Sequence, residues 1–143
     1  MKRVIFTLLV VAAGSIPALA KYSGGSGEPN DPYQIAGVND LLTLAADTND
    51  YNKCFIMTAD INLDPNLPGN SVFTSAVIAR CDPNSSFPSY PFYGTLDGSG
   101  HKIINLTIDT NGAGNDYLGL FGDFFGIKFT CSSASFMLDM PLG

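Results

Sequence analysis

Hydrophobic residues are most concentrated near the N-terminus, where residues 4–13 form an apolar run broken only by Thr7. A positively charged start precedes this run, and Ala18-Leu19-Ala20 follows it with the small-x-small pattern that signal peptidases cut. A membrane-spanning helix needs about 20 apolar residues, so the run is too short to span. We therefore expect residues 1–20 to be a secretory signal peptide, with an uncleaved anchor or a lipid-modified form as the alternatives.

The pattern becomes helical after a lead at residues 21–31 that is rich in Gly, Ser and Pro. We expect the folded domain to begin at Pro32, because such a lead does not favour a regular element. Asn39 is placed to cap a helix, and Asp40 falls in its first turn, where a negative charge suits the helix dipole. Two turns of helix are predicted from the apolar residues Leu41, Leu42, Leu44, Ala45 and Ala46.

From residue 55 to residue 63 the hydrophobic period changes to two, which predicts a single strand with one buried face. Shorter β-prone runs lie at residues 72–79, 92–96, 102–108 and 117–122, separated by segments rich in Gly, Asn and Pro. Short strands without a hairpin register favour a coil of parallel rungs over an antiparallel meander.

Turns and corners account for the most distinctive residues of this β-prone region. The segment from Asp97 to Gly100 predicts a tight turn with positive φ, and Asn105 interrupts the alternation of the following strand, as a corner would. Glycines also stand in the last short strand, where side chains would crowd. The predicted structural turn and corner residues are Asp97, Gly98, Gly100, Asn105, Gly119 and Gly122.

Residues 92–108, FYGTLDGSGHKIINLTI, followed by LGLFG at residues 118–122, resemble the opening of bacterial secreted or surface proteins that carry GLUG motifs. The resemblance extends upstream to about residue 22. It implies an all-β fold, a right-handed parallel β-helix of the pectin-lyase-like kind with an N-terminal capping helix, whose cap and first rungs occupy residues 32–122. The matched residues are turn and core residues, so the resemblance implies a fold and no particular activity.

The last segment, residues 123–143, departs from that family because its apolar residues follow no clear period. A coil generally needs about three stacked repeats to be stable. We therefore expect an atypical tail that adds no further rung and that derives from a truncated or frame-shifted product.

Charge excludes two classes of partner. The chain has thirteen acidic and seven basic residues, a formal net charge of −6. Removing residues 1–20 takes away two basic residues and no acidic one, so the mature chain would carry −8. This sign repels nucleic acid and anionic lipid, so we expect neither nucleic-acid binding nor adsorption to a membrane surface. We also expect no membrane insertion after signal cleavage.

Two groups of residues have the composition of a reactive or metal-binding site. Asp60, Asn62 and Asp64 alternate like calcium ligands, but proline follows where a calcium loop has glycine, and no Glu closes the loop; a solvent-facing strand edge is favoured over a weak calcium site. Asp97 and His101 invite an acid/base interpretation, yet no nucleophile or metal motif accompanies them. We therefore predict no catalytic residue and no cofactor, and expect Asp97 to bond the amides of its own turn.

Three cysteines, Cys54, Cys81 and Cys131, show no metal-ligand spacing. In an oxidising compartment a bond between Cys54 and Cys81 is one alternative, and two ordinary half-buried thiols are the other.

These expectations converge on a non-enzymatic β-helix module, secreted or held at the extracytoplasmic cell surface, with a structural, adhesive or ligand-presenting role. Its expected partners are polysaccharides or other components of the cell surface. The alternatives are a remnant of a protein that binds or cleaves polysaccharide, and a non-functional gene fragment.

Overall fold

The computed structural model describes residues 20–80, 90–112 and 117–122, together with the backbone of residues 138–139. The described residues form mainly strands, with one α-helix and one short 3-10 helix. In chain order the elements are β1 (Tyr33–Ile35), α1 (Val38–Ala46), the 3-10 helix (Thr48–Asp50), β2 (Cys54–Met57), β3 (Ile61–Asn62), β4 (Thr95–Asp97), β5 (Ile103–Ile104) and β6 (Leu138–Asp139).

The strands form two sheets in which every pairing is parallel. One sheet has the order β1-β2-β4 and the other β3-β5-β6. Further along the chain, parallel bridges pair Phe73 with Ile108 and Ile78 with Phe121. We call residues 54–80 the first passage, and residues 92–112 and 117–122 the second passage. The two passages therefore lie side by side and run in the same direction, with their paired positions in the same order.

An aromatic column runs through the core from one passage to the next. Ring centroids are 4.5 Å apart between Tyr22 and Tyr33, 5.5 Å between Tyr33 and Phe55, 6.2 Å between Phe55 and Phe92, and 5.2 Å between Phe92 and Phe121. Tilted and edge-on ring pairs at such distances add to the stabilisation that burial provides. The column thus connects the lead, β1 and both passages within one hydrophobic core.

The helix predicted from the apolar spacing is confirmed, since α1 buries Leu41 and Leu44 fully. The prediction of Asn39 as its N-cap is wrong: Gly37 occupies that position and offers no side-chain cap. The physical reason is that the first-turn carboxylate of Asp40 instead accepts the backbone N–H of Ala36 at 2.8 Å, which ties down the chain just before the helix.

The prediction of one strand over residues 55–63 is also wrong, because β2 ends at Met57 and β3 begins at Ile61 in the other sheet. Met57, Ile61 and Leu63 are all buried, so the inward pattern continues through the bend between the strands. Alternation therefore could not reveal the corner. The bend is held by Asp60, whose Oδ1 accepts the Lys102 backbone N–H at 3.0 Å.

The runs at residues 72–79 and 117–122 form single bridges rather than regular strands. In the first, Ala79 has a φ of 51° and donates its N–H to the Tyr51 hydroxyl at 3.0 Å. The tail also differs from expectation where it is described: β6 pairs in parallel with β5 and so adds a strand to the second sheet.

The fold begins earlier than Pro32, since Tyr22 in the lead is only 4% exposed. The lead also pairs with strands: Gly27 accepts the N–H of Cys54 at 3.0 Å. Gly25 has a φ of 78°, and a Cβ there would lie 1.9 Å from the carbonyl oxygen of Pro32, so the lead's glycines permit this close approach.

Candidate functional site

Polar side chains from both passages meet where the chain turns from the first sheet to the second. We call Asp60, Asn62, Asp64, His101 and Asn105 the corner ridge. Asp60 lies just before β3 and His101 just before β5, and because β3 and β5 are neighbours in register, the two corners are adjacent. The sequence singled out all five residues without indicating that they lie together.

One contact of the corner ridge joins Asp60 to the second passage. Besides accepting the Lys102 N–H, Asp60 Oδ1 lies 3.2 Å from His101 Nδ1. These donors, the backbone N–H first and the imidazole second, lower the pKa of Asp60. The Asp60 side chain is 64% exposed, so the contact is largely solvated.

The other contact of the corner ridge is a hydrogen bond between two asparagines. Asn62 Oδ1 accepts the Nδ2 of Asn105 at 2.9 Å and the backbone N–H of Asp64 at 3.0 Å. Asn105 has a φ of 59°, a left-handed conformation that asparagine adopts more readily than most residues. One asparagine side chain therefore closes its own turn and joins it to the turn of the next passage.

The suggested calcium ligands are each engaged in turns. Asp64 Oδ1 accepts both the backbone N–H and the side-chain amide of Asn66, at 2.9 and 2.8 Å, while Asp60 and Asn62 make the bonds described above. Within the residues that the structure describes, no group of three or more His, Cys, Asp or Glu side chains could hold a metal ion. All three side chains therefore take part in forming turns.

The suggested acid/base residues have different partners. Asp97 Oδ1 accepts the Ser99 N–H at 2.9 Å within its own turn, whereas His101 faces Asp60. Positive φ angles in this turn fall on Ser99 (46°) and Gly100 (83°) rather than on Gly98.

The two glycines of the last short run lie in the second passage. Gly119 has a φ of 157°, and Gly122 donates its N–H to the Ile78 carbonyl at 2.9 Å, which joins the two passages.

A second polar cluster, which the sequence did not indicate, lies at the start of the fold. We call Lys21, Tyr22, Asp47 and Asp50 the N-terminal latch. Lys21 Nζ lies 2.5 Å from carboxylate oxygens of both Asp47 and Asp50, and the Tyr22 hydroxyl donates to Asp50 Oδ2 at 2.7 Å. Asp50 is only 7% exposed, and a buried carboxylate needs hydrogen-bond partners. Lys21 and Tyr22 from the lead supply them.

Titration of the latch reflects these contacts. Burial, followed by the bond to Asp50, raises the pKa of the Tyr22 hydroxyl. Burial opposes the charge of Lys21, but its two carboxylate partners outweigh this and raise its pKa. The bond to Lys21, and then those from Asn49, lower the pKa of Asp47 to about 2.

Cys54 is a half-buried free thiol in β2, and the choice between the two alternatives for Cys54 and Cys81 stays a prediction. Cys81 and Cys131 lie outside the described residues, as do residues 1–19 of the expected signal peptide. In the part of the chain that the structure describes, no helix is both long and apolar enough to cross a membrane.

Comparison with known proteins gives one relative. A stretch of 106 residues, 74% of this chain, is 34% identical to Halomucin of Haloquadratum walsbyi. The chain spans 1% of the length of that protein. No protein-family model matches the chain, and no solved structure matches it significantly.

Proposed function

We propose that this chain is a non-enzymatic, extracytoplasmic β-helix module with a structural, adhesive or ligand-presenting role at the cell surface. The observation that carries the proposal is the parallel stacking of the second passage on the first. A polar network devoted to turns and a surface-type relative support the same role.

The fold part of the proposal is a short right-handed parallel β-helix. Phe55 pairs with Leu96, Ile61 with Ile103, Phe73 with Ile108 and Ile78 with Phe121, separations of 41, 42, 35 and 43 residues. Parallel pairing at four successive points in unchanged order is what one turn of a coil produces, with loops of unequal length between the points. The end of such a coil is an open sheet edge that needs covering, and α1 fits this role because its buried leucines pack into the core that contains β1.

The functional part rests on what the polar side chains do. Asp47, Asp64, Asp97 and Asp109 each accept a backbone N–H two residues ahead, at 2.8 to 3.0 Å, so much of the acidic excess builds turns. His101, the single histidine of the chain, bonds a solvated carboxylate. These side chains favour an architectural module over an enzyme.

The surface location is supported by the relative. The name Halomucin marks that relative as mucin-like, and 74% of this chain aligns with 1% of it, as a small module would align with part of a much longer protein. The expected signal peptide at residues 1–20 points to the same compartment.

The export test expresses the full chain, and a matched chain lacking residues 2–20, in a bacterial host, followed by fractionation and N-terminal sequencing. We expect the full chain outside the cytoplasm with Lys21 as its first residue, and the shortened chain inside. Retention of the full chain in the cytoplasm would contradict the proposed location.

The activity test combines a glycan array with a cleavage assay on polygalacturonate. Glycan binding without cleavage fits the ligand-presenting role. Cleavage that is abolished by Asp97→Asn or His101→Ala would overturn the non-enzymatic proposal in favour of a polysaccharide-cleaving protein.

A further inference from the structure

The N-terminal latch lies directly beside the bond at which the leader is expected to be cut. Ala20 and Lys21 are exposed, whereas Tyr22 is 4% exposed. The Lys21 ammonium is bound to two carboxylates. On the C-terminal side of the Ala20–Lys21 bond, the chain is thus anchored through the Lys21 side chain and buried at Tyr22.

The burial of Tyr22 is extensive. Its ring lies 4.5 Å from that of Tyr33 and 5.5 Å from that of Phe55, and its hydroxyl is bonded to the buried carboxylate of Asp50. Peptidases bind several residues on both sides of the scissile bond in extended form, so cleavage of a docked segment requires local opening. Opening here would expose the Tyr22 ring to water and remove both Lys21 and Tyr22 from Asp50, which makes the open state rare.

We propose that the N-terminal latch is a folding-gated processing site: the leader is removed before Tyr22 docks, and docking then protects the new N-terminus from exported proteases. In the cleavage, water adds across the Ala20–Lys21 bond, so Ala20 leaves with a carboxylate and Lys21 keeps an amine that takes up a proton. This ordering rests on the proposed export of the chain, whereas the protection by docking does not.

Trypsin tests the docking on the full chain, because it cuts after Lys21 and after Lys102. The bond from Lys102 to the fully buried Ile103 reports opening of the second sheet and serves as the internal reference. We expect Tyr22→Phe, which removes only the bond to Asp50, to raise cutting at Lys21 relative to Lys102 by about tenfold.

Tyr33→Phe is the matched control, since it removes a hydroxyl from the neighbouring ring but no bond to Asp50. It should leave the ratio unchanged. Asp47→Asn keeps the Oδ1 acceptor for Asn49 but weakens the outer contact of Lys21, so it should raise the ratio less than Tyr22→Phe does. If Tyr22→Phe does not fold, Asp47→Asn alone still decides the outcome. Equal effects of the tyrosine variants, or no effect of Asp47→Asn, would overturn the docking.

Signal peptidase in detergent micelles tests the order of events on the same full chain. We expect cleavage after Ala20 when the chain is presented unfolded, and at least tenfold slower cleavage after refolding. Equal rates in the two states would overturn the ordering. No cleavage in either state would contradict the proposed export, while the trypsin result would still decide the docking.

Discussion

The N-terminal latch and the corner ridge both use carboxylates to join segments far apart in the chain, but they do so in different surroundings. The side chain of Asp50, in the latch, is 11% exposed, whereas that of Asp60, in the ridge, is 64% exposed. Removing the hydrogen-bond donor of a buried carboxylate lowers stability strongly, because no water replaces the donor. A solvated carboxylate loses little, because water takes the place of the lost donor. We conclude that the latch determines how firmly the first end of the fold is held, and the ridge mainly aligns neighbouring corners.

Truncation in the latch should have the largest effect on stability. Tyr22→Ala removes a buried ring from the aromatic column and the hydrogen bond to Asp50, so the free energy of unfolding should fall by about 3–5 kcal/mol. Urea denaturation followed by circular dichroism measures this. Tyr90→Ala, at a side chain that is 62% exposed, is the control and should change little. Equal losses for the two variants would remove the distinction between latch and surface.

Alkaline pH should weaken the latch next. The raised pKa of Tyr22 means that the fold favours the neutral hydroxyl, and the raised pKa of Lys21 means that it favours the ammonium. Both contributions are fully present below the unfolded values, 10.0 for Tyr and 10.5 for Lys, and are lost as pH rises above them.

Stability should therefore decline from about pH 10 upward, as measured by urea midpoints across pH 8 to 11.5. Tyr22→Phe should flatten this decline and Tyr33→Phe should not. A wild-type curve that stays level to pH 11.5 would show that the hydroxyl is not held by Asp50.

The asparagine pair of the corner ridge should have an intermediate effect. Asn62→Ala removes the acceptor for both the Asp64 N–H and the Asn105 side chain, so unfolding should become easier by about 1–2 kcal/mol. Asn39→Ala, at an exposed helical position without such bonds, should be neutral or slightly stabilising. If Asn62→Ala behaves like this control, the ridge does not contribute to the joining of the passages.

The smallest effect is expected at Asp60. Its lowered pKa means that its contribution is present above the ordinary value of 3.8 and is lost as pH falls below it. Asp60→Asn keeps an oxygen for the Lys102 N–H, so the thermal midpoint at pH 7 should stay close to that of the wild type. A loss as large as that of Tyr22→Ala would show that the ridge, not the latch, dominates.

Local patterns predicted the parts of this fold that depend on neighbouring residues. The apolar spacing from Leu41 to Ala46 located α1, and the interrupted alternation at Asn105 located a bend with a left-handed residue. Parallel stacking followed from short strands without a hairpin register, a feature that is also visible locally.

Contacts over long separations could not be predicted in the same way. Tyr22 is a single aromatic residue among glycines and serines, and its burial depends on Asp50, 28 residues away. The corner at Asp60 was hidden because inward positions continue through it, and its position depends on Lys102, 42 residues away. The residues of the corner ridge could thus be named from the sequence. That they lie next to one another could be seen only in the folded structure.

The stacking of the passages is tested most directly by proton nuclear Overhauser contacts in the full chain. We expect parallel-strand contacts between the backbones of Phe55 and Leu96, Ile61 and Ile103, Phe73 and Ile108, and Ile78 and Phe121, all in one molecule. Antiparallel contacts between close α-protons, or absence of the last two pairs, would contradict a coil of stacked turns.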